Sequence, residues 1–162
     1  MADDARPPYL SWMNDPVIMR FMETRFTSHT AEDLARFITD CNDDPAILLL
    51  GLYRRADGTH IGNIKLGPIH HHHRRGDIGI VIGDRTAWGQ GYAREAIRSL
   101  ADHALGPRGL HKVTAGCYAA NMGSARAFLA AGFTHEATRT AQLWCESRWQ
   151  DELLFGRIAA DA

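Results

Sequence analysis

The spacing of apolar residues in the first quarter of the chain is that of helices with one buried face. Such residues recur every three or four positions over residues 12–40, and we predict two helical segments there. In the first segment, Asn14 and Asp15 are cap candidates directly before Pro16. In the second, Thr30 is the expected N-cap.

From residue 46 onward the pattern changes to short runs of aliphatic and β-branched residues, which is typical of strands. The first two runs are separated by Asp57-Gly58, a hairpin signal. The predicted strands are Ala46–Arg54, Thr59–Ile69, Asp77–Ile82, Leu110–Tyr118, Phe133–Leu143 and Trp149–Ile158.

Two further helices separate the later strands. Gly91–Leu105 has its apolar residues on one helical face and stops at a Gly-Pro pair. A shorter helix follows Asn121 and ends at Gly132. This order of elements predicts an α/β (α+β mixed) protein with a mixed sheet, helices on both faces, and a single domain over residues 1–162.

Composition narrows the classes of function. The chain has 162 residues, 45% of them hydrophobic, which is enough for one buried core. With 18 Lys+Arg against 19 Asp+Glu it has no basic field for nucleic acid or an anionic membrane. The longest apolar run, Ala46–Tyr53, is too short to span a bilayer. We expect neither nucleic acid nor a membrane as partner.

The chain start and the cysteines indicate a compartment. The first eight residues, "MADDARPP", are acidic and polar, so they predict neither a signal nor a transit peptide. Cys41, Cys117 and Cys145 are odd in number and widely spaced, so we predict reduced thiols and no zinc site. We expect a cytoplasmic protein without a metal.

The stretch "WGQGYARE", Trp88–Glu95, links a predicted strand to a predicted helix and is a candidate phosphate loop. A nucleotide P-loop would need Lys-Ser/Thr where Tyr92-Ala93 stands. A dinucleotide fingerprint would need a third glycine where Arg94 stands. A coenzyme A pyrophosphate loop remains, and so does a plain strand-to-helix turn whose glycines serve packing.

Two longer stretches extend this signal: "DIGIVIGDRTAWGQGYAREAI" and, further on, "NMGSARAFLAAGF". Together they resemble the GNAT-fold N-acetyltransferase superfamily, in its branch of ribosomal-protein, spermidine and nucleotide-aminosugar acetyltransferases. The resemblance covers nearly the whole chain. It implies a central mixed, mostly antiparallel twisted sheet in which the family's strands four and five are parallel and splay apart.

The resemblance also implies a site for acetyl-CoA as co-substrate. Its pantetheine arm would enter between Asp77–Ile82 and Leu110–Tyr118, the family's splayed strands. The thioester would lie along the first of them, the pyrophosphate on the glycine loop, and the pantetheine amides near the next helix. Phe128 stands where many relatives have a tyrosine that protonates the thiolate. The implied cofactor-binding residues are Ile80, Val81, Ile82, Trp88, Gly89, Gln90, Gly91, Tyr92, Ala93, Asn121, Ser124 and Phe128.

Direct attack of a neutral amine on the thioester is the implied chemistry, and positioning alone contributes much of such a rate. A base is still useful, because an alkyl ammonium must lose a proton. The candidate catalytic residues are Asp77, Glu23 and Tyr118, with Tyr118 as a proton donor in place of Phe128. Each residue also has a purely structural interpretation. Asp77 could be a solvated residue at a strand start, Glu23 a surface charge on a helix, and Tyr118 a packing residue.

From the resemblance we expect the amine acceptor to be a small molecule, with a nucleotide-linked aminosugar as the first choice, or a protein N-terminus as the second. The alternatives are a non-catalytic acyl-CoA-binding module and, disfavoured by the loop, a nucleotide- or NAD-binding domain. The run His70–Arg75 predicts an exposed hairpin turn, since four consecutive side chains of a strand cannot converge on one metal ion. It could alternatively meet an acidic acceptor.

The start of the chain bears on assembly. Relatives in the family usually have one strand ahead of the segment that opens with Tyr9. Either that strand is trimmed or the sheet has an unpaired edge, and such an edge favours pairing between chains. A homodimer is therefore possible.

Overall fold

The structure is a computed structural model that describes residues 7–160. Its helices are α1 Pro7–Met13, α2 Ala31–Asp43, α3 Tyr92–Leu105 and α4 Met122–Ala130. Short 3-10 turns occur at Met19–Phe21, Glu23–Phe26 and Arg85–Ala87. The strands are β1 Leu48–Tyr53, β2 His60–Leu66, β3 Arg75–Ile82, β4 Lys112–Tyr118, β5 Thr134–Cys145 and β6 Arg148–Ile158.

The connection between α1 and α2 differs from the prediction. The first of the two predicted helical segments, which begins at Trp12, is wrong over most of its length: α1 ends at Met13, and the residues after it form turns. The reason is local, because Asp15 Oδ1 accepts a hydrogen bond of 2.8 Å from Val17 N–H and stabilises a turn around Pro16. We call residues 14–30 the strap. The second helix is confirmed, with a capping box between Thr30 and Asp33.

The six strands form one sheet in the order β1-β2-β3-β4-β6-β5. Every neighbouring pair is antiparallel except β3 and β4, which run parallel. This confirms the predicted mixed sheet with one parallel pair. β3 and β4 pair only over Arg75–Asp77 and Lys112–Thr114, and beyond that point they separate. We call the resulting wedge the cleft; it is closed at Asp77 and open towards the ends of both strands.

Helices cover both faces of the sheet. α3 and α4 pack on one face and enclose the main core, whose largest fully buried side chains are Phe128, Phe155, Leu66, Ile97 and Val113. α1, α2 and the strap lie on the other face, where Trp12, Met19, Leu34 and Ile38 form a second cluster packed against Leu49 of β1. The cleft therefore has an α3/α4 side and a strap side.

The histidine run lies in the turn between β2 and β3, and His70–His73 are exposed as predicted. This turn is at the closed end of the cleft, next to Arg75. Within residues 7–160 no three His, Cys, Asp or Glu side chains converge on a possible metal position. In the same range, no helix is long and apolar enough to cross a membrane.

Candidate active site

The glycine loop joins the open end of β3 to α3. Gly89 and Gly91 have φ of 73° and 86°, in the left-handed region that glycine enters without strain. Gly91 is also the N-cap of α3. The backbone N–H groups of residues 89–94 find no acceptor in the described part of the chain. Since these amides are unpaired and lie at the positive end of the helix dipole, the loop is suited to an anion.

The loop is open to a ligand's approach. A Cβ atom at Gly89 would meet nothing within 4 Å, and one at Gly91 would have only the Arg94 guanidinium nearby, at 3.7 Å. A pyrophosphate could therefore lie directly on the backbone of Gly89 to Ala93. This geometry fits the phosphate end of coenzyme A.

Side chains that sequence reasoning missed hold the loop in place. Asp84 Oδ1 accepts a hydrogen bond of 2.9 Å from Thr86 N–H and caps the 3-10 turn. Arg54, directly after β1, reaches across to Asp84 Oδ2 at 2.9 Å. The hydrogen bond from the Thr86 hydroxyl, followed by that from its amide and by the charge of Arg54, lowers the pKa of Asp84 below its usual value. In the sequence, the Asp57-Gly58 turn indicates that Arg54 lies at the end of a hairpin strand. Nothing in the sequence indicates that Arg54 pairs with Asp84 of the loop.

Trp88 and Gln90 also brace the loop with their side chains. Trp88 Nε1 donates to the Ile82 carbonyl at 2.8 Å, and Gln90 Nε2 donates to the Thr86 carbonyl. Tyr92 and Ala93 form the first turn of α3. The predicted loop residues thus lie together, with their backbone amides available and two of their side chains engaged within the loop.

Backbone groups of β3 face the open cleft. Asp77 C=O and Gly83 N–H bond towards the β2 side, to Gly67 and Ile61. Because backbone directions alternate along a strand, Ile80 and Ile82 turn their N–H and C=O groups towards β4. The Ile82 carbonyl accepts from Trp88, and no strand pair joins β3 to β4 at Ile80. Ile80 therefore presents its backbone N–H and C=O groups to an extended ligand. The side chain of Val81 lies on the strap side of the sheet.

Across the cleft, Asn121 and Ser124 lie at the start of α4. Asn121 Oδ1 accepts from Ser124 N–H at 3.2 Å, so its oxygen caps the helix and its amide NH₂ is left for other contacts. Phe128 lies one to two turns further on, 2% exposed and in ring contact with Phe133 and Phe155. The structure places Phe128 in the core, and we leave it out of the ligand contacts proposed below.

Two of the three predicted catalytic residues meet on the strap side of the cleft. The Tyr118 hydroxyl, at the open end of β4, donates to Glu23 Oε1 of the strap. Tyr118 is 3% exposed, whereas Glu23 is exposed. Burial, followed by the hydrogen bond to Glu23, raises the pKa of Tyr118 to about 12. The phenol therefore stays protonated across the physiological range.

Arg25 completes this cluster. Its guanidinium donates to the Tyr118 hydroxyl at 2.7 Å, to the Trp144 carbonyl at 2.6 Å and to the Met22 carbonyl at 2.8 Å. Its side chain is only 14% exposed. Sequence reasoning missed Arg25; the available signal was an arginine within the apolar stretch "MRFMETRF", since a buried arginine must find several acceptors.

Asp77 lies apart from this pair. It accepts a hydrogen bond from the Thr114 hydroxyl at the closed end of the cleft. Tyr118 is four residues beyond Thr114 on β4, a rise of about 13 Å. The structure thus joins Glu23 and Tyr118 and separates Asp77 from both.

Comparisons with known proteins agree with this geometry. A family model described as "Acetyltransferase (GNAT) domain" matches residues 1–134. No curated protein matches the chain in sequence.

Several solved structures share the fold. A spermidine N-acetyltransferase from Vibrio cholerae, in complex with CoA and spermine, is 20% identical with a TM-score of 0.82, over 94% of this chain and 88% of that chain. A GNAT-family acetyltransferase from Bacillus anthracis is 19% identical with a TM-score of 0.82, over 99% of this chain and 92% of that chain. At such low identity the likeness shows the fold alone.

Proposed function

The chain belongs to the GNAT acetyltransferase family, whose members use acetyl-CoA, and on that premise we propose that it transfers the acetyl group directly to a primary amine. The observation that carries the proposal is the cleft: β3 and β4 separate beyond Asp77, and the opening leads to a loop of unpaired backbone amides. An extended pantetheine arm can lie in the cleft, and an anion can bind to the amides of the loop.

We propose the following roles on the cofactor side. Backbone amides of residues 89–93 hold the pyrophosphate, and Trp88 fixes the loop to the end of β3. Ile80 N–H, with Val81 and Ile82 beside it, lies where it can stabilise the developing oxyanion. Asn121 and Ser124 meet the pantetheine arm from α4. Acetyl-CoA supplies the activated thioester when bound.

On the acceptor side we propose Glu23 as the base. Its carboxylate is exposed to an incoming ammonium while one oxygen is held by Tyr118. Tyr118 positions Glu23, because a phenol with a pKa of about 12 keeps its proton. Asp77, at the closed end and bonded to Thr114, is the second choice for the base.

We propose a nucleotide-linked aminosugar as first acceptor and a protein N-terminus as second. A polyamine is the third, supported by the shared fold with spermidine N-acetyltransferases. Polyamines need free carboxylates, and on the strap side Asp15 is paired with Arg85 and Glu146 with Arg20. Apart from Glu23, which we assign to the reacting amine, these two carboxylates are engaged, and this supports an oxygen-rich acceptor over a polycation.

The first experiment is a calorimetric titration of the protein with acetyl-CoA, with ATP and NAD as controls. We expect saturable binding of acetyl-CoA alone. Thiol release with a panel of amines then separates an enzyme from a non-catalytic acyl-CoA-binding module. Binding of ATP or NAD in competition with acetyl-CoA would refute the assignment of the loop.

We also propose a homodimer formed through β1. This strand has a neighbour on one side only, β2, within the described sheet. Its sequence, Leu48–Tyr53, carries no charge that would oppose pairing with a second copy. Light scattering after gel filtration measures the mass directly, and a monomer at high concentration would contradict the proposal.

A further inference from the structure

A cavity of about 420 Å³ lies within the strap, outside the cofactor side of the cleft. That volume is in the range of small-molecule sites. Its lining includes the apolar residues Met13, Met19 and Phe26 and the basic residues Arg20 and Arg25. Nothing in the proposed transfer has yet used this space.

The cavity is one side chain away from the proposed base. Arg25 lines the cavity and donates to the hydroxyl of Tyr118, which in turn donates to Glu23. Arg25 is thus the side chain that the cavity shares with the Glu23–Tyr118 pair.

The charges of the lining select among acceptors. The one carboxylate in the lining, Asp15, accepts from Arg85 at 2.6 and 2.7 Å and from Val17 N–H at 2.8 Å. It is already neutralised by these contacts. The lining offers a polycation no free carboxylate, whereas its two arginines make it favourable for an anion.

Of these two groups, Arg20 can change partner. Arg25 is enclosed by three acceptors, but Arg20 pairs with Glu146 on the β5–β6 turn, at 2.8 and 2.9 Å. Both side chains of this pair are nearly half exposed, so water screens their attraction. Glu146 itself has φ of 52°, which is unfavourable for a residue other than glycine.

We propose that this cavity binds the distal part of the acceptor, that this part is an anionic phosphate or carboxylate, and that Arg20 exchanges Glu146 for it. This inference rests on the proposed acetyl transfer and names its substrate class. A phosphate or carboxylate presents to Arg20 the same oxygen geometry as Glu146 does. The acceptor is thus an amine that carries an anion, as aminosugar phosphates and peptides with a free C-terminus do.

The test uses matched acceptors that differ in the anion alone: glucosamine against glucosamine 6-phosphate, and a tripeptide against its C-terminal amide, with spermidine as the polycation. Thiol release gives kcat and KM, and calorimetry with CoA present gives Kd. We expect the wild type to prefer the anionic member of at least one pair by about tenfold, the effect of one charge-assisted hydrogen bond.

Two variants should act in opposite directions on the preferred anion. Arg20→Gln removes the guanidinium and should raise its KM by about tenfold. Glu146→Gln removes the competitor and should lower that KM. Arg36→Gln, which breaks the exposed pair with Asp33 on α2, is the matched control and should change neither. The Kd of acetyl-CoA should stay unchanged in all three.

Several results would overturn the inference. One is equal affinity, in turnover and in calorimetry, for both members of each pair. Another is a preference for spermidine that weakens in Glu146→Gln, since Glu146 would then bind the acceptor. In either case, turnover of any amine, with an unchanged Kd for acetyl-CoA, would still support the proposed acetyl transfer. Failure of this inference can therefore be distinguished from failure of the proposed function.

Discussion

Substitution of Gly91 by valine tests the assignment of the loop. At φ of 86°, a residue with a Cβ atom is strained, and we expect Gly91→Val to lose roughly 1–2 kcal/mol of unfolding free energy. The branched side chain also stands over amides that we assign to the pyrophosphate. Losing two charge-assisted hydrogen bonds at about 1.5 kcal/mol each removes about 3 kcal/mol of binding, or about 100-fold in Kd.

The matched control is Gly109→Val. Gly109 has φ of 66° and open space around its Cβ position, so it should suffer the same strain. It lies at the other end of α3, and that helix of 14 residues spans about 21 Å. Urea unfolding measures the stability of both variants and calorimetry measures acetyl-CoA binding. Equal Kd values for the two variants would refute the reasoning, because the loss would then follow strain instead of position.

Three further predictions concern the remaining groups of the site. Tyr118→Phe keeps the ring but removes the hydrogen bond that positions Glu23, leaving Arg25 at 3.5 Å as its partner, so kcat should fall about tenfold with an unchanged Kd for acetyl-CoA; an unchanged kcat would show that Tyr118 has no part in the reaction. Glu23→Gln should lower kcat at neutral pH more than Asp77→Asn does, and the reverse order in thiol-release assays would make Asp77 the base. Asp84→Asn should lower the free energy of unfolding by about 1 kcal/mol at pH 7. Because folding lowers the pKa of Asp84, urea unfolding should show this difference disappearing as the pH falls through the folded pKa. A difference that persists in acid would contradict a role for the charge of Asp84.

Local signals in the sequence were sufficient for the strands and for the turn at the two glycines, whereas the parallel pair of the sheet was implied by the resemblance to the family. The helix that follows Gly91 and the strand before it each have a regular pattern, and the two glycines mark the left-handed turn between them. The capping box at Thr30 is equally local. Elements of this kind form from residues within one or two turns of each other, so their prediction needs no tertiary information.

The strap could not be predicted in the same way. Its apolar spacing resembles a helix, but Pro16 and the carboxylate of Asp15 favour a turn, and its final shape depends on distant partners. Arg25 is held by Tyr118, 93 residues away, and by Trp144, 119 residues away. A pattern of apolar and polar residues contains no record of such pairs, so Arg25 stayed invisible until the chain was folded.

The cofactor side and the acceptor side of the site are held by different contacts, so the residues of one side can be substituted without changing the other. The cofactor side is built from backbone amides on a loop fixed by Arg54 and Asp84, and its chemistry depends little on side-chain identity. The acceptor side is built from side chains of the strap that are joined to the sheet at the end of β4 and at the β5–β6 turn. We therefore expect a substitution at Arg20 to change acceptor binding next to the proposed base and to leave the cleft unaltered. Membership of the family accounts for the fold and for the use of acetyl-CoA, whereas in our proposal the choice of acceptor depends on a few charges of the strap and of the β5–β6 turn.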